Sequence, residues 1–235
     1  MRLLITRPEP DGERTAAALR TRGHEVLLAP MLLIEPIASA SVGQGPWAAI
    51  LLTSANGARA IAGHQQRNEL VRLPVLAVGQ SSAAAAQAAG FGDVSSADGD
   101  GADLARLAAA RFPRATLPLL HLTGEDRARD LAAELAPHGI RVETAVVYRT
   151  RKAEAFAPEV ETALKAGRID SVLHFSARSA ESYLECAATI LETALKPTHF
   201  CLSERSAAPL RAAGAAKVKV ASRPDEAALL ALVTG

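Results

Sequence analysis

The chain has 235 residues, enough for one large domain or two small ones, and 49% of them are hydrophobic. Its 26 basic and 25 acidic residues are interspersed, and aromatic residues make up only 3%. A basic face and base-stacking aromatics are both missing, so we predict no nucleic-acid partner. No stretch approaches the ~18 apolar residues of a membrane span, and the N-terminal apolar run is too short for a signal peptide. We therefore expect a cytoplasmic protein without membrane association.

Short runs rich in Val, Leu and Ile alternate along the chain with Ala-rich stretches of helical period. We predict strands near 2–6, 25–29, 48–53, 74–78, 93–95, 117–122, 141–148, 171–175, 198–202 and 217–220. Helices are predicted near 10–22, 55–64, 81–89, 101–111, 126–136, 156–166, 178–192, 205–213 and 225–233. This alternation predicts an α/β fold with parallel sheets that carry helices on both faces.

Two segments depart from the alternation. Residues 29–37 stay extended and contain Pro30 and Pro36, which do not fit a central strand. Residues 142–152 form a predicted strand of unusual length with a polar end. We interpret the two segments as a linker of extended strands running in opposite directions between two lobes. The predicted boundaries are 1–34 plus 152–235 for lobe 1, 38–148 for lobe 2, and 35–37 and 149–151 for the linker.

An internal repeat supports the two lobes. Residues 78–83 read Val-Gly-Gln-Ser-Ser-Ala and residues 202–207 read Leu-Ser-Glu-Arg-Ser-Ala, 124 residues later; both lead through a short Ala-rich helix to a Gly. Residues 50–56 match 172–178 at a spacing of 122. A repeat of this length is a duplicated half-structure, because solenoid units span about 20–50 residues. Two similar lobes commonly enclose a ligand.

The repeated feature is a strand followed by Ser, Thr or Gly and then the start of a helix. Such turns occur at 53–56, 79–82, 123–125, 175–178 and 203–206. Each offers free backbone N–H groups, a hydroxyl and the positive end of a helix dipole. Helix capping alone would explain any single turn. Five turns on two facing lobes would instead form a receptor for a large ligand with several carboxylates or phosphates.

Other chemical motifs are weak. Residues 99–101 read Gly-Asp-Gly, which we interpret as a turn and helix cap and not as a phosphate loop. No metal-binding spacing is found, and we interpret Cys186 and Cys201 as small core residues. His121 and His174 lie in apolar strands, which favours core or edge positions.

Tyr148 is one of two tyrosines and lies in the long strand beside Arg149. Its phenol is suited to donating a proton to a leaving oxygen. Packing at a hinge, with the hydroxyl in water, is the alternative, and the residues alone leave both open.

These segments together resemble the uroporphyrinogen-III synthase family over essentially the whole chain. The resemblance rests on 4–8 (Leu-Ile-Thr-Arg-Pro), 52–58, 77–83, 147–150 (Val-Tyr-Arg-Thr), 175–179 and 206–207. It implies two flavodoxin-like lobes, a two-stranded linker and an active cleft between the lobes. It also implies a cofactor-independent lyase that converts hydroxymethylbilane to uroporphyrinogen III with loss of water and inversion of ring D.

The resemblance places the family's tyrosine at Tyr148, where it would assist departure of the substrate hydroxyl. The substrate carries eight carboxylates, in agreement with the receptor predicted from the turns. The residues predicted to bind it are Arg7, Ser54, Gln80, Ser81, Ser82, Thr123, Gly124, Ser176, Arg178, Arg205 and Ser206. We expect no metal or other cofactor, a monomer, and as a hypothesis a transient contact with hydroxymethylbilane synthase, which supplies the unstable substrate.

The sequence departs from the family pattern Gly-x-x-Thr-Ala at both turns. The first turn keeps Gly79 and has Ser82 in place of Thr, whereas the second has Ser203 in place of Gly, followed by Glu204. Glu204 would repel a carboxylate, so a non-catalytic two-lobed module that binds an anionic metabolite is the main alternative. A transferase acting on a nucleotide-linked substrate is a second; it would need a metal site, for which Asp98 and Asp100 are the candidates.

Overall fold

The computed structural model describes residues 1–126 and 130–234. Its strands are β1 (Arg2–Ile5), β2 (Glu25–Leu28), β3 (Leu32–Pro36), β4 (Ala49–Leu52), β5 (Val75–Ala77), β6 (Val94–Ser96), β7 (Leu119–Gly124), β8 (Val142–Lys152), β9 (Ser171–His174), β10 (Thr198–Cys201) and β11 (Val218–Val220). Its helices are α1 (Asp11–Arg20), α2 (Ala55–Ile61), α3 (Arg67–Leu70), α4 (Gln80–Ala88), α5 (Gly101–Arg111), α6 (Leu131–Leu135), α7 (Pro158–Lys165), α8 (Ala177–Cys186), α9 (Leu191–Ala194), α10 (Glu204–Ala212) and α11 (Glu226–Thr234). The predicted α/β class is confirmed.

The chain divides into two compact units. Unit 1 comprises Met1–Leu33 and the chain from Arg151 onward, and unit 2 comprises Ile34–Thr150. The sheet of unit 1 has the order β11-β10-β9-β1-β2, and all its neighbouring strands are parallel. Helices α7, α8 and α10 pack on one face of this sheet, and α1 and α11 pack on the other. Both faces are covered, which explains why its strands are continuous apolar runs.

The second sheet has the order β3-β8-β7-β4-β5-β6, and the strands from β8 to β6 are parallel. Ile50 and Leu52 of β4 pack with α2 and α4 on one side, which we call the α2/α4 face. Ala49 and Leu51 pack with α5 and α6 on the other, the α5/α6 face. Residues alternate between the two faces along each strand, as the pleat requires.

β3 and β8 are neighbours and run in opposite directions. The N–H of Ile37 donates to Val147 O at 2.9 Å, and the N–H of Ala153 donates to Met31 O at 3.0 Å. Residue numbers rise along β3 as those of the paired residues in β8 fall, so the two strands are antiparallel. This confirms the predicted pair of extended strands running in opposite directions. β3 forms an edge of its sheet, the position in which a strand tolerates the proline at its end.

Three helices differ from the predictions or complete them. The helix predicted over 178–192 ends at Cys186 and is followed by a 3-10 turn at Ala188–Ile190 and by α9. After the break the chain folds back over α8, where the Tyr183 hydroxyl donates to the carbonyl of Ala194 at 2.8 Å. The short helix α3 was not predicted. The helix predicted over 126–136 lies partly outside the described residues; its described part, α6, follows the cap residue Asp130.

Candidate functional site

In unit 2, the parallel strands bring several of the predicted residues to one edge. β4, β5 and β7 end at Leu52, Ala77 and Gly124, and Gly124 pairs with Tyr148 of β8. The carboxyl ends of parallel strands share an edge, which is the usual ligand-binding edge of such sheets. This edge of unit 2 therefore brings together Ser54, Gln80, Ser81, Thr123, Gly124 and Tyr148.

Ser54 has a structural contact of its own at this edge. It is the N-cap of α2, with its hydroxyl oxygen accepting from the N–H of Asn56 at 3.2 Å. The neighbouring Thr53 hydroxyl lies 3.2 Å from Nε2 of His121, which is buried in β7. His121 thereby ties the turn after β4 to the adjacent strand. The sequence indicated only that His121 was a core or edge residue, since its partner is 68 positions away.

The N-terminus of α4 is open by comparison. Gly79 has an extended backbone, with φ of −161°, and within the described residues no side chain caps the helix. A side chain at Gly79 would meet no atom within 4 Å. Ser81 is exposed at this helix start, whereas Ser82 is buried. The first N–H groups of such a helix have no partner inside the helix and suit an anion.

A carboxylate already lies beside this helix start. The side-chain amide of Gln80 donates to Oδ1 of Asp98 at 2.7 Å, and the hydroxyl of Ser96 donates to the same oxygen at 2.7 Å. The sequence alone indicates Asp98 only as a candidate metal ligand. Its position next to Gln80 means that a substrate carboxylate would compete with Asp98 for the Gln80 amide.

Tyr148 is half-buried, and its ring packs against the hydrophobic cluster of the α2/α4 face. The carbonyl of Tyr148 accepts from the N–H of Glu125 at 3.1 Å. No described residue forms a hydrogen bond with the Tyr148 hydroxyl. The side chain of the next residue, Arg149, is paired with Glu35 through an Nε–Oε2 contact of 2.7 Å. Tyr148 thus has a fixed backbone and an available hydroxyl.

In unit 1, Arg7 follows β1 and is already paired. Its Nη1 lies 2.9 Å from Oε2 of Glu226, and its guanidinium lies 4.9 Å from the centre of the Phe175 ring. Burial would raise the pKa of Glu226, but hydrogen bonds from Thr15 and Arg7 and the charges of Arg7 and Arg14 outweigh burial and lower it. The Arg7 charge is therefore compensated inside unit 1, and the residue's predicted contact with substrate stays a prediction.

The turn after β9 contains Ser176 and Arg178. The Ser176 hydroxyl caps α8 by accepting from the N–H of Ser179 at 3.1 Å, and it lies 2.8 Å from the Ser179 hydroxyl. Ser179 is buried, and Arg178 is half-buried. Ser176 and Arg178 lie at the carboxyl edge of the unit 1 sheet, as predicted from their position after a strand.

The turn after β10 differs from its counterpart in unit 2. Ser203 caps α10, and Ser206 returns a hydrogen bond to Ser203, which forms a capping box. Ser206 is fully buried, with its hydroxyl donating to Ser203 O at 2.8 Å. Glu204 pairs with Arg211, whereas Arg205 is exposed and has no ion-pair partner among the described residues. The serines of this turn thus occupy the helix start that glycine leaves open at α4.

Neither aspartate of the candidate metal motif is arranged for a metal. Asp98 accepts from Gln80 and Ser96, and Asp100 caps α5 by accepting from the N–H groups of Ala102 and Asp103. Residues 1–126 and 130–234 contain no group of three or more His, Cys, Asp or Glu side chains that could hold a metal ion. Over the same residues, no helix combines the length and apolar character needed to cross a membrane.

A solved structure shares this architecture. The crystal structure of uroporphyrinogen-III synthetase from Helicobacter pylori 26695 superposes with a TM-score of 0.67 at 19% identity, covering 100% of this chain and 99% of that one. A mutant uroporphyrinogen III synthase from the extreme thermophile Thermus thermophilus gives a TM-score of 0.47 at 19% identity, covering 100% and 97%. No curated protein sequence is significantly similar to the chain.

A family model described as uroporphyrinogen-III synthase HemD matches residues 13–231. The match spans nearly the whole sequence and both units. The chain therefore belongs to the uroporphyrinogen-III synthase HemD family, the cofactor-independent lyases of heme biosynthesis that cyclise hydroxymethylbilane to uroporphyrinogen III.

Proposed function

We propose that this chain performs the cyclisation with Tyr148 as its proton donor and that units 1 and 2 are the two lobes of the enzyme. Substrate carboxylates would bind at the carboxyl edge of each sheet. In unit 2 the proposed contacts are the turn at Ser54, the α4 start with Gln80, Ser81 and Ser82, and the β7 end at Thr123 and Gly124. In unit 1 they are Arg7, Ser176, Arg178 and Arg205. Ser206, which the sequence placed with them, is buried and its hydroxyl is bonded within the cap of α10.

The observation that carries the proposal is the placement of Tyr148. Its ring is held against the sheet of unit 2, its backbone is fixed on the carboxyl side by the hydrogen bond from Glu125, and its hydroxyl has no hydrogen-bond partner among the described residues. The same edge carries the uncapped N-terminus of α4, which favours negative charge. A proton donor and an anion-binding helix start on the same edge of one sheet, separated by β7 and β4, suit a large polycarboxylate whose hydroxyl must leave.

In the proposed reaction, the Tyr148 phenol gives its proton to the substrate hydroxyl, which departs as water and leaves an azafulvene cation. Ring closure then proceeds through a spiro intermediate, whose rearrangement inverts ring D. The proton released when the product forms returns to the phenolate, so the enzyme is regenerated. Hydroxymethylbilane also closes without the enzyme, but its ring D is then not inverted. The main contribution of the protein is therefore to hold the substrate in the productive geometry.

The test is to supply hydroxymethylbilane, oxidise the products and separate type I from type III uroporphyrin by chromatography. Tyr148→Phe should lower the rate of type III formation by about 100-fold or more, the usual range for loss of a general acid. Tyr183→Phe is the matched control, because the Tyr183 hydroxyl is buried and bonded to the Ala194 carbonyl. Full type III formation by Tyr148→Phe would exclude the proton donor, whereas type I alone from the unaltered chain would exclude the synthase function.

The non-catalytic binding module is not favoured, because the whole-chain family match is to enzymes. We further propose a cytoplasmic monomer that meets hydroxymethylbilane synthase transiently, because a short transfer distance protects an unstable substrate. Light scattering tests the monomer. The transfer is tested in an assay in which hydroxymethylbilane synthase supplies the bilane to this chain. Type III formation is compared with and without an excess of an inert protein that binds free bilane.

A further inference from the structure

The strand that carries Tyr148 changes its side-chain alternation just before that residue. Val142 packs on the α5/α6 face, and Ala145 and Val147 pack on the α2/α4 face, as alternation requires. Continued alternation would return Tyr148 to the α5/α6 face. Its ring instead packs with the cluster of the α2/α4 face, the side on which the open start of α4 lies.

An irregularity in the β7–β8 pairing accounts for this change. Thr123 pairs with Val146, but Gly124 pairs with Tyr148, so Val147 is skipped and the register shifts between Thr123 and Gly124. Such a bulge re-aims the side chains that follow it, and it is uncommon between parallel strands. The two hydrogen bonds on either side, Ile37 N–H to Val147 O and Glu125 N–H to Tyr148 O, hold the bulged backbone.

Gly124 leaves the space that the redirected ring fills. A Cβ atom at Gly124 would lie 2.6 Å from Cε2 and 2.8 Å from Cζ of Tyr148, closer than carbon atoms approach in proteins. The backbone of Gly124 lies outside the left-handed region that favours glycine. Glycine is therefore required at this position by contact with the ring and not by its own conformation.

We propose that Gly124 and the bulge beside it form the positioning device for Tyr148. The bulge turns the ring toward the α2/α4 face, and the missing side chain of Gly124 lets the ring lie directly against the Gly124 backbone. In this role Gly124 acts through Tyr148, and the effect is separate from the substrate contact proposed for Gly124 above. The catalytic consequence rests on the proposed function of Tyr148, whereas the ring position does not depend on it.

The position of the ring is tested without any activity measurement. The chain has two tyrosines, so protein labelled with 3-fluorotyrosine gives two ¹⁹F resonances, which Tyr148→Phe assigns. Gly124→Ala should shift the Tyr148 resonance and leave that of Tyr183 in place. Gly92→Ala is the control, because a Cβ at Gly92 meets no atom within 4 Å. An unmoved Tyr148 resonance in folded Gly124→Ala overturns the proposal.

Kinetics then test the consequence. Gly124→Ala should lower kcat for type III formation by about 100-fold while KM changes less than about threefold, since a displacement near 1 Å of a catalytic group has an effect of this size. In a Tyr148→Phe background the same substitution should have little further effect. A full kcat effect in both backgrounds would mean that Gly124 acts independently of Tyr148. A shifted resonance with full activity in Tyr148→Phe would reject the proton donor but keep the positioning device.

A second pair of variants covers the case in which Gly124→Ala does not fold. Tyr148→Ala removes the ring atoms that the new methyl group would strike. If the contact is responsible, Gly124→Ala/Tyr148→Ala should fold and melt at a higher temperature than Gly124→Ala. A double variant no more stable than Gly124→Ala would overturn the proposal, because the loss would then come from somewhere other than the ring.

Discussion

At the turn after β10, two opposite charges lie next to each other but do not pair. Glu204 pairs with Arg211, which lies two turns further along the same face of α10. Arg205 is exposed and, within the described residues, has no acidic partner. The acid that would repel a substrate carboxylate is thus neutralised from inside its own helix. The base beside it is left as a charge available to an anion, even though the serines of this turn are occupied by capping.

We therefore expect Arg205→Ala to raise KM for hydroxymethylbilane about two- to fivefold with kcat nearly unchanged, the effect of losing one exposed charge contact. Added salt should reduce the difference, because exposed charges are screened. Lys217→Ala is the matched control: it removes an exposed cation of the same unit, just before β11 at the opposite edge of the sheet. Equal KM changes in the two variants would show that only net charge matters.

At the scale of elements, α4 and α10 are equivalent helices with different N-termini. The residues before them have nearly the same backbone, with φ of −161° at Gly79 and −156° at Ser203. Ser203 supplies a hydroxyl to its own helix, and Gly79 supplies none. The duplicated sequence therefore produces one helix start that is satisfied internally and one that is open to a ligand.

This difference predicts that Gly79→Ser will stabilise the fold but weaken substrate binding. Gly79→Ser should be accommodated, since a Cβ there meets no atom within 4 Å. Its hydroxyl should cap α4 as Ser203 caps α10 and raise the free energy of unfolding by about 0.5 kcal/mol. If α4 receives a substrate carboxylate, the same hydroxyl should raise KM severalfold. Denaturant unfolding and steady-state assays measure the two effects, with Gly92→Ser as control. Added stability with unchanged KM would remove α4 from the binding site.

The alternation of elements was predictable because it depends on local composition, and the order of strands and helices follows it. The bulge beside Gly124 was not, since the register between β7 and β8 depends on contacts between residues more than twenty positions apart. The break after α8 was likewise not predicted; it is accompanied by a hydrogen bond from Tyr183 to Ala194, 11 positions further along the chain. The candidate site residues could be predicted from the sequence because they follow the ends of predicted strands. Which hydroxyls are consumed by capping, as at Ser206, became visible only from the folded contacts.

At the scale of the whole molecule, the two units carry different reporters and different titrating groups. The single tryptophan, Trp47, is buried in unit 2, where its indole N–H donates to Glu143 at 2.7 Å. Unit 1 holds two buried histidines, with Nε2 of His174 lying 3.1 Å from Nδ1 of His199. The fluorescence of Trp47 therefore follows unit 2, and the buried histidine pair belongs to unit 1.

The histidine pair should make unit 1 sensitive to acid. Burial lowers the pKa of His199 from 6.5 to about 4, and burial and the neighbouring His199 lower that of His174. Above pH 6.5 the imidazoles are neutral in both the folded and the unfolded chain, so the free energy of unfolding is at its full value. As the pH falls from 6.5 toward 4, the unfolded chain binds protons that the folded chain does not, so stability decreases. For His199 alone the loss approaches roughly 3 kcal/mol at the lower end.

Denaturant unfolding between pH 7.5 and 4.5, followed by far-ultraviolet circular dichroism and by Trp47 fluorescence, measures this loss. His174→Leu/His199→Leu should flatten the pH dependence whatever its stability at pH 7.5, because it removes both titrating groups. His138→Gln, which replaces an exposed histidine of unit 2, should keep the original slope. If the two units unfold separately, only the dichroism transition moves with pH, whereas cooperative unfolding moves both signals together. A double variant with the slope of the unaltered chain would show that the acid sensitivity arises outside the histidine pair.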